Sequence, residues 1–363
     1  MEEAVKLLVD SLRIYSPSTK EEEMSKFLRG RMQDLGFKNV RTDAAQNALG
    51  DLGSGHPHIL LCGHMDTVPG FLKVRVEGER IHGRGSADAK GPMCAQIIAA
   101  SSEKIQGKVT VACVTREEGD SLGVKTLIEA GGDYDYAVFG EPAGAAKITT
   151  GYRGHVTTHV VIRTQGGHAS SSWAHASAIE GAMSIASRIK TYESEHIVDG
   201  NHFKSLTATL TQIKGGSAPN VVPTVCDMTF DVRIPEGMNS DAVKTQLEEI
   251  VAQQATVMGV EAEIRFDQAT EPYEAPTDSV VMRAFQRSIL KNLKTRPIMT
   301  HKTGTGDMNT FAEMMRIPCL TYGPGDTSLG HTEIESIEIP DYLNSITVLK
   351  GALGEIQALY RAK

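Results

Sequence analysis

The chain has 363 residues. At about 100 to 200 residues per domain that is room for two domains with cores of their own, and a small stapled scaffold is excluded. Hydrophobic residues make up 40% and charged residues 23%, with 14 prolines, which is globular rather than disordered, collagenous or coiled-coil composition. Lys plus Arg total 37 against 45 for Asp plus Glu, and the net charge of −8 has the wrong sign for broad affinity for nucleic acid or an anionic membrane surface.

In chain order, the acidic, amphipathic start MEEAVKLLVDSLRIYS predicts a helix over 3–13 and lacks the basic stretch and apolar core of a secretory signal. A second helix is predicted over 20–35, where Ser18 and Thr19 precede a Glu run suited to a helix N-terminus. HILLC (58–62), VTVACV (109–114), YAVF (136–139) and PCLTY (318–322) are short apolar runs of the kind that become buried central strands. Between the first two, a helix starting near Pro92 runs through MCAQIIAASSEKI, which makes the order strand, helix, strand and the class α/β. From about residue 153 the strands alternate: 155–164, then a helix over 175–192, strands 206–213 and 224–234, a helix over 240–257 and a strand 260–266. That β-α-β-β-α-β order predicts an inserted α+β, ferredoxin-like domain. A C-terminal helix is predicted over 341–361. The expected division is a catalytic domain of 1–152 and 269–363 with a central mixed sheet, and an inserted domain of 153–268. No apolar run approaches the roughly 18 residues of a membrane span. Cys62, Cys94, Cys113, Cys226 and Cys319 sit singly in apolar segments as core residues, which points to a reducing cytoplasm.

In open α/β sheets ligands collect at the carboxyl ends of the strands. There this sequence places Gly63-His64-Met65-Asp66, then Arg116-Glu117-Glu118-Gly119, then Gly140-Glu141-Pro142 and, late in the chain, His331-Thr332-Glu333. A Gly-rich loop delivers Asp88 just before the helix at Pro92. Each alone has a bland role: a core histidine, a solvated glutamate pair, a helix cap, a surface histidine. Together, two histidines and several carboxylates on neighbouring strand ends are the donor set of one or two Zn²⁺ or similar divalent ions.

GHMDTVP, GRGSADAKG, REEGD, FGEP and GHTEIE, in that order and spanning nearly the whole chain, resemble the co-catalytic zinc aminoacylase and carboxypeptidase family, which includes acetylornithine deacetylase, succinyl-diaminopimelate desuccinylase and glutamate carboxypeptidase. The resemblance implies a metallopeptidase-type catalytic domain whose inserted domain is a lid and dimerisation module, and two Zn²⁺ per subunit, with Co²⁺ as a substitute. It implies His64, Asp88 and Glu141 on one ion and Asp88, Glu118 and His331 on the other, with Asp88 bridging. Glu117 would be the general base and Asp66 the residue that orients His64. His168, after Gly166-Gly167, resembles the histidine that stabilises the oxyanion across a homodimer, and Asn220 and Arg233 match positions that bind the substrate carboxylate.

The loop Lys302-Thr303-Gly304-Thr305-Gly306-Asp307-Met308-Asn309 resembles that of a branch releasing lysine or ornithine from the C-terminal glutamate of an acidic amino-group carrier protein. Lys302, Thr303, Gly304 and Thr305 would then bind substrate, and Asp307, Asp326 or Glu333 would attract a cationic side chain. The expected enzyme is a cytoplasmic hydrolase of linear amide bonds in lysine or arginine biosynthesis, with no nucleic-acid or membrane partner. The alternatives are a small N-acyl amino acid as substrate (N-acetylornithine, N-acetyllysine or succinyl-diaminopimelate), dipeptide cleavage, and an inactive amino-acid-binding relative. Because the chain and such a carrier are both acidic, a local basic rim of Lys73, Arg75, Lys90 and Arg153 is expected to guide encounter.

Overall fold

The computed structural model describes residues 2–102 and 106–362. The predicted end of the helix after Pro92, residues 103–105, lies outside the described residues. The chain divides into two compact units: Met1–Gly151 with Ala275–Thr300 and Gly306–Lys363, and Tyr152–Glu274 with His301–Thr305.

The first unit is built on a mixed sheet. Its strands lie in the order Lys38–Thr42, Ala48–Gly53, Lys108–Val114, His58–His64, Tyr136–Gly140, Cys319–Thr321, Lys147–Tyr152. The four middle strands run parallel, and antiparallel partners flank them. His58–His64 is buried at every residue, as the middle of a parallel sheet must be, which is why it reads as an unbroken apolar run. Helix Lys90–Ser101 is likewise buried along nearly its whole length, packing on Glu2–Leu12, Ile339–Arg361 and the central strand. The register fixes what happens at the strand ends. His64 lies opposite Val114 and Gly63 opposite Gly140, so the loops that begin at residues 65, 115 and 141 leave the sheet side by side.

In the second unit, Thr207–Gly215, Val225–Ile234, Gly154–Arg163 and Glu261–Phe266 form a fully antiparallel sheet in that order. Helices Ala178–Glu195 and Ser240–Met258 pack on it, capped at their N-termini by the side chains of Ser177 and Asn239. Val156, Val160 and Ile162 alternate inward along one strand and meet Ile185, Ile189, Phe230 and Leu247 in the core. Segment 301–305 is held to this unit by side chains: the His301 ring stacks on Phe203 at 4.1 Å, and Lys302 Nζ lies 5.6 Å from the centre of the Tyr152 ring.

All five cysteines are free and buried. No helix among the described residues is long and apolar enough to cross a membrane. Burial pushes the Tyr134 phenol up to about 12 and holds Tyr322 and Tyr342 higher than an ordinary tyrosine. Above about pH 10 the unfolded chain releases these protons while the native one keeps them, so the unfolded state binds fewer protons and stability falls as pH rises. Melting temperatures measured from about pH 9 to about pH 11.5 should decline steeply over that window; a flat profile would contradict these burials.

Candidate metal centre

Within the first unit the strand-end loops bring seven predicted residues together. His64, the last residue of its strand, is 1% exposed, and its Nδ1 lies 3.0 Å from the Asp66 main-chain oxygen and 3.4 Å from Asp66 Oδ1. Nδ1 therefore carries the proton in the neutral ring. Nε2 is left facing Asp88 Oδ1 at 3.3 Å and Glu141 Oε1 at 3.5 Å. His331, held at φ 63, points Nε2 at Glu118 Oε1 at 2.7 Å and at Asp88 Oδ2 at 3.4 Å. Asp88 thus presents one carboxylate oxygen to each histidine. His64 also belongs to two tight groups of donor atoms, one with Glu117 and Glu141 and one with Asp88 and Glu118, each within 4.8 Å.

Asp66 does more than orient His64. Its Oδ1 accepts the Glu117 amide and its Oδ2 the Glu118 amide, both at 3.1 Å, and Ser18 Oγ donates to Oδ2 at 2.7 Å. One buried carboxylate therefore fixes the histidine and the glutamate loop together. Burial alone would raise its pKa, but the His64 and Ser18 bonds and the Glu117 amide outweigh burial and hold it below the ordinary value. Glu21 Oε1 accepts the Arg116 amide at 3.1 Å and steadies the same loop from the other side. Behind Asp88, Gly330 comes so close that a Cβ there would lie 2.8 Å from Asp88 Oδ2, and a larger residue would have to displace that carboxylate.

The electrostatics fit a bound cation. Burial, then the charges of Glu141, Asp307 and Glu118, pushes the Glu117 carboxyl well up against the pull of His64. Burial raises Glu118 as well. His64 would be lowered by burial, yet its bonds to Asp66 and Asp88 and the charges of Glu117 and Glu141 hold it well above the ordinary histidine value. Burial is the largest cause of the rise at the two glutamates, and neighbouring carboxylates raise the imidazole, so the cluster sets several acidic groups close together with little water around them. A divalent cation relieves the same charge while leaving Nε2 unprotonated and the carboxylates ionised. Two imidazole nitrogens with several carboxylates is also the donor chemistry Zn²⁺ accepts.

Other expected positions are accounted for locally. His168 Nδ1 accepts the Ser170 amide at 3.2 Å, which leaves the ring proton of the neutral form on Nε2. Arg233 makes a two-pronged contact with Asp231 at 2.7 and 2.9 Å, and Asn220 sits in an exposed turn. The Thr303 carbonyl accepts from Arg153 Nε at 2.8 Å. Gly304 and Thr305 follow in the same half-buried loop.

One expectation is corrected. Lys90 and Arg153 form no basic rim, because they are 1% and 7% exposed. Lys90 Nζ donates to the Ser11 and Ile14 carbonyls, and burial lowers its pKa to about 7; Arg153 donates to Thr303, Ser205 and Thr207. Of the four rim residues only Lys73 and Arg75 are exposed, and Arg75 is paired with Glu77 at 2.7 Å. Asp307 is buried beside the same cluster: it is 6% exposed, and burial, reinforced by the charges of Glu141 and Asp66 and opposed by His64, pushes it up to about 7. Asp326 is exposed but caps Ser328 through its amide and hydroxyl.

The chain matches the family model described as Peptidase family M20/M25/M40 over residues 60–355. It is 30% identical to the LysW-lysine/LysW-ornithine hydrolase of Sulfurisphaera tokodaii, covering 96% of this chain and 94% of that one. It is 31% identical to the LysW-lysine hydrolase of Deinococcus radiodurans, covering 96% of each. Among solved structures it resembles the Bacillus subtilis YXEP protein, a dinuclear metal-binding peptidase of the M20 family, with a TM-score of 0.74 at 15% identity over 97% of both chains. With most of the chain inside the family model and full-length relatives at this identity, the chain belongs to peptidase family M20/M25/M40.

Proposed function

We propose that this protein is a metal-dependent amidohydrolase that releases lysine, ornithine or both from the C-terminal glutamate of an acidic amino-group carrier protein. The observation that carries the proposal is the convergence of His64, Asp88, Glu118, Glu141 and His331, with Glu117 grouped beside His64 and Glu141. The names of the full-length relatives direct it to a carrier-linked substrate.

In this account His64, Asp88 and Glu141 hold one ion and Asp88, Glu118 and His331 the other. Bound there, two Zn²⁺ ions supply Lewis acidity toward an amide carbonyl and make water a stronger acid. The chain's residues do the rest. Asp66 holds the His64 ring and both glutamate amides, so the donor loop is set before substrate arrives. Glu117 takes a proton from the attacking water and returns it to the leaving amine. His168, with its proton on Nε2, is a donor suited to a developing oxyanion, and homodimerisation through the domain of 153–268 would carry it to a second copy's centre. Asn220 and Arg233 would bind the carboxylate of the substrate, and the loop of Lys302, Thr303, Gly304 and Thr305 its acyl side.

The test is primary-amine release by Zn²⁺-loaded protein from carrier-linked lysine, side by side with N-acetyllysine, N-acetylornithine and succinyl-diaminopimelate, with a chelated control. Strong, chelator-sensitive preference for the conjugate is expected. Preference for a free acyl amino acid would keep the metal chemistry and discard the carrier, and release unaffected by chelation would overturn the metal assignment.

A further inference from the structure

Just behind the metal ligands lies a buried ion pair that the chemistry above does not use. Glu335 is 1% exposed and Arg84 6%, with Arg84 Nη1 donating to Glu335 Oε2 at 2.9 Å. Glu335 Oε1 accepts three main-chain amides of the loop that delivers Asp88: Gly85 at 3.0 Å, Ala87 at 3.1 Å and Asp88 itself at 3.1 Å. Gly85 stands at φ 86, a turn that an L side chain rarely adopts and that lets these amides converge on one oxygen. Arg84 reaches further, donating through Nη1 to the Thr332 carbonyl at 3.0 Å and through Nε to the Gly70 carbonyl at 3.3 Å. Thr332 is the neighbour of His331, and Gly70 lies on the loop that leaves His64. The Gly83 amide, donating to the Glu335 carbonyl at 3.2 Å, closes the connection.

Charge is the reason this device is specific. A carboxylate that takes three amides and a guanidinium has both oxygens committed, and an ion pair out of water holds its geometry because every partial disconnection strands a charge. We infer that the Glu335–Arg84 pair is a positioning device that locks the Asp88 loop to the His331 loop, and so sets the spacing of the two donors that the second metal ion must share. The inference rests on the ligand assignment above. Neither residue touches substrate or metal; both act through Asp88 and His331.

The experiment is a titration of the metal-free full-length protein with Zn²⁺ against a competing chromophoric chelator, resolving the two binding steps. Glu335→Gln keeps one acceptor oxygen but turns a donor toward Arg84. It is expected to weaken both steps, because the bridging Asp88 serves both ions, and to weaken the step that fills the Asp88–Glu118–His331 site by the larger factor, about 10- to 100-fold, as loss of supporting residues around a metal typically does. The visible spectrum of the Co²⁺-loaded variant should change most for the ion held by Asp88, Glu118 and His331. Arg84→Lys should weaken the same step less, and the double variant should be no weaker than Glu335→Gln alone, because the two residues act as one unit. Both steps staying within about threefold of wild type in folded Glu335→Gln would overturn the inference, as would the larger loss falling on the step that fills the His64–Asp88–Glu141 site. If Glu335→Gln does not fold, Arg84→Lys decides in the same way. His331→Ala serves as the control: if it keeps both wild-type steps, the ligand assignment fails, whatever the pair does.

Discussion

Replacing Glu117 by Gln should lower kcat by about 10²- to 10⁴-fold while leaving the zinc content of the protein unchanged, because a positioned general base contributes about that much and an amide cannot accept and return a proton. The separation is possible because the loop does not depend on that side chain. Asp66 grips the Glu117 main-chain amide at 3.1 Å, and Gln keeps the amide. The charge that disappears is one that burial and the neighbouring Glu141 and Glu118 already disfavour, so the variant should fold as well as the parent. Rates from single-turnover amine release, read beside metal content by atomic emission, check this. Near wild-type turnover would refute the role of base, and lost zinc would instead make Glu117 a ligand. The same variant separates an enzyme from an amino-acid-binding relative, since a binder has no use for a base.

The second large effect is expected at Asp88. Its two oxygens face His64 Nε2 at 3.3 Å and His331 Nε2 at 3.4 Å, so under the proposed assignment Asp88→Ala removes a donor from both ions at once and leaves the remaining carboxylates to repel one another. Zinc surviving gel filtration should drop to a small fraction of the wild-type content, with amine release falling by about 10³-fold or more. The fold should persist, because the contact that seats this loop is the Asp88 amide on Glu335, which the substitution keeps. Far-ultraviolet circular dichroism and metal analysis on one preparation separate these effects. Two tightly held zinc ions in Asp88→Ala would contradict the bridging assignment.

How much of this is legible in the sequence follows from where each residue gets its partners. The central strands are buried on both faces, so their apolar runs stand out, and the residues after each run fall at the strand ends by register alone. The antiparallel strands and two helices of 152–274 show the alternation and capping that mark half-buried elements. Other elements carry weaker signals. Ala48–Gly53, with two glycines in six residues, carries no strand-like apolar run, yet it pairs along Lys108–Val114, and Gly50 packs under Phe37 and Met32. Leu122–Glu129 is a short helix, and its Gly123 fits beneath the Thr115 carbonyl, a tertiary demand that no local pattern reveals. Helix Val280–Leu293 carries a readable signature, a Ser279 cap and apolar residues at 281, 285 and 289.

The site divides along the same line. Donors that must be His, Asp or Glu announce themselves by type and place. The groups that hold them do not, because Glu335, Arg84 and Ser18 act on main-chain atoms or on residues far away in the sequence, such as Ser18 on Asp66 and Glu335 on the amides of 85, 87 and 88. Lys90 and Arg153 mislead for the converse reason. A cation in a glycine-rich loop reads as exposed, and only the fold shows that main-chain carbonyls have taken it inside.

The central claim, that this cluster holds two divalent ions with Asp88 between them, is tested most directly by anomalous diffraction at the zinc edge from crystals of the zinc-loaded protein. The expected result is two peaks per chain, one among His64, Asp88 and Glu141 and one among Asp88, Glu118 and His331. A single peak, or zinc bound anywhere but at these residues, would contradict it.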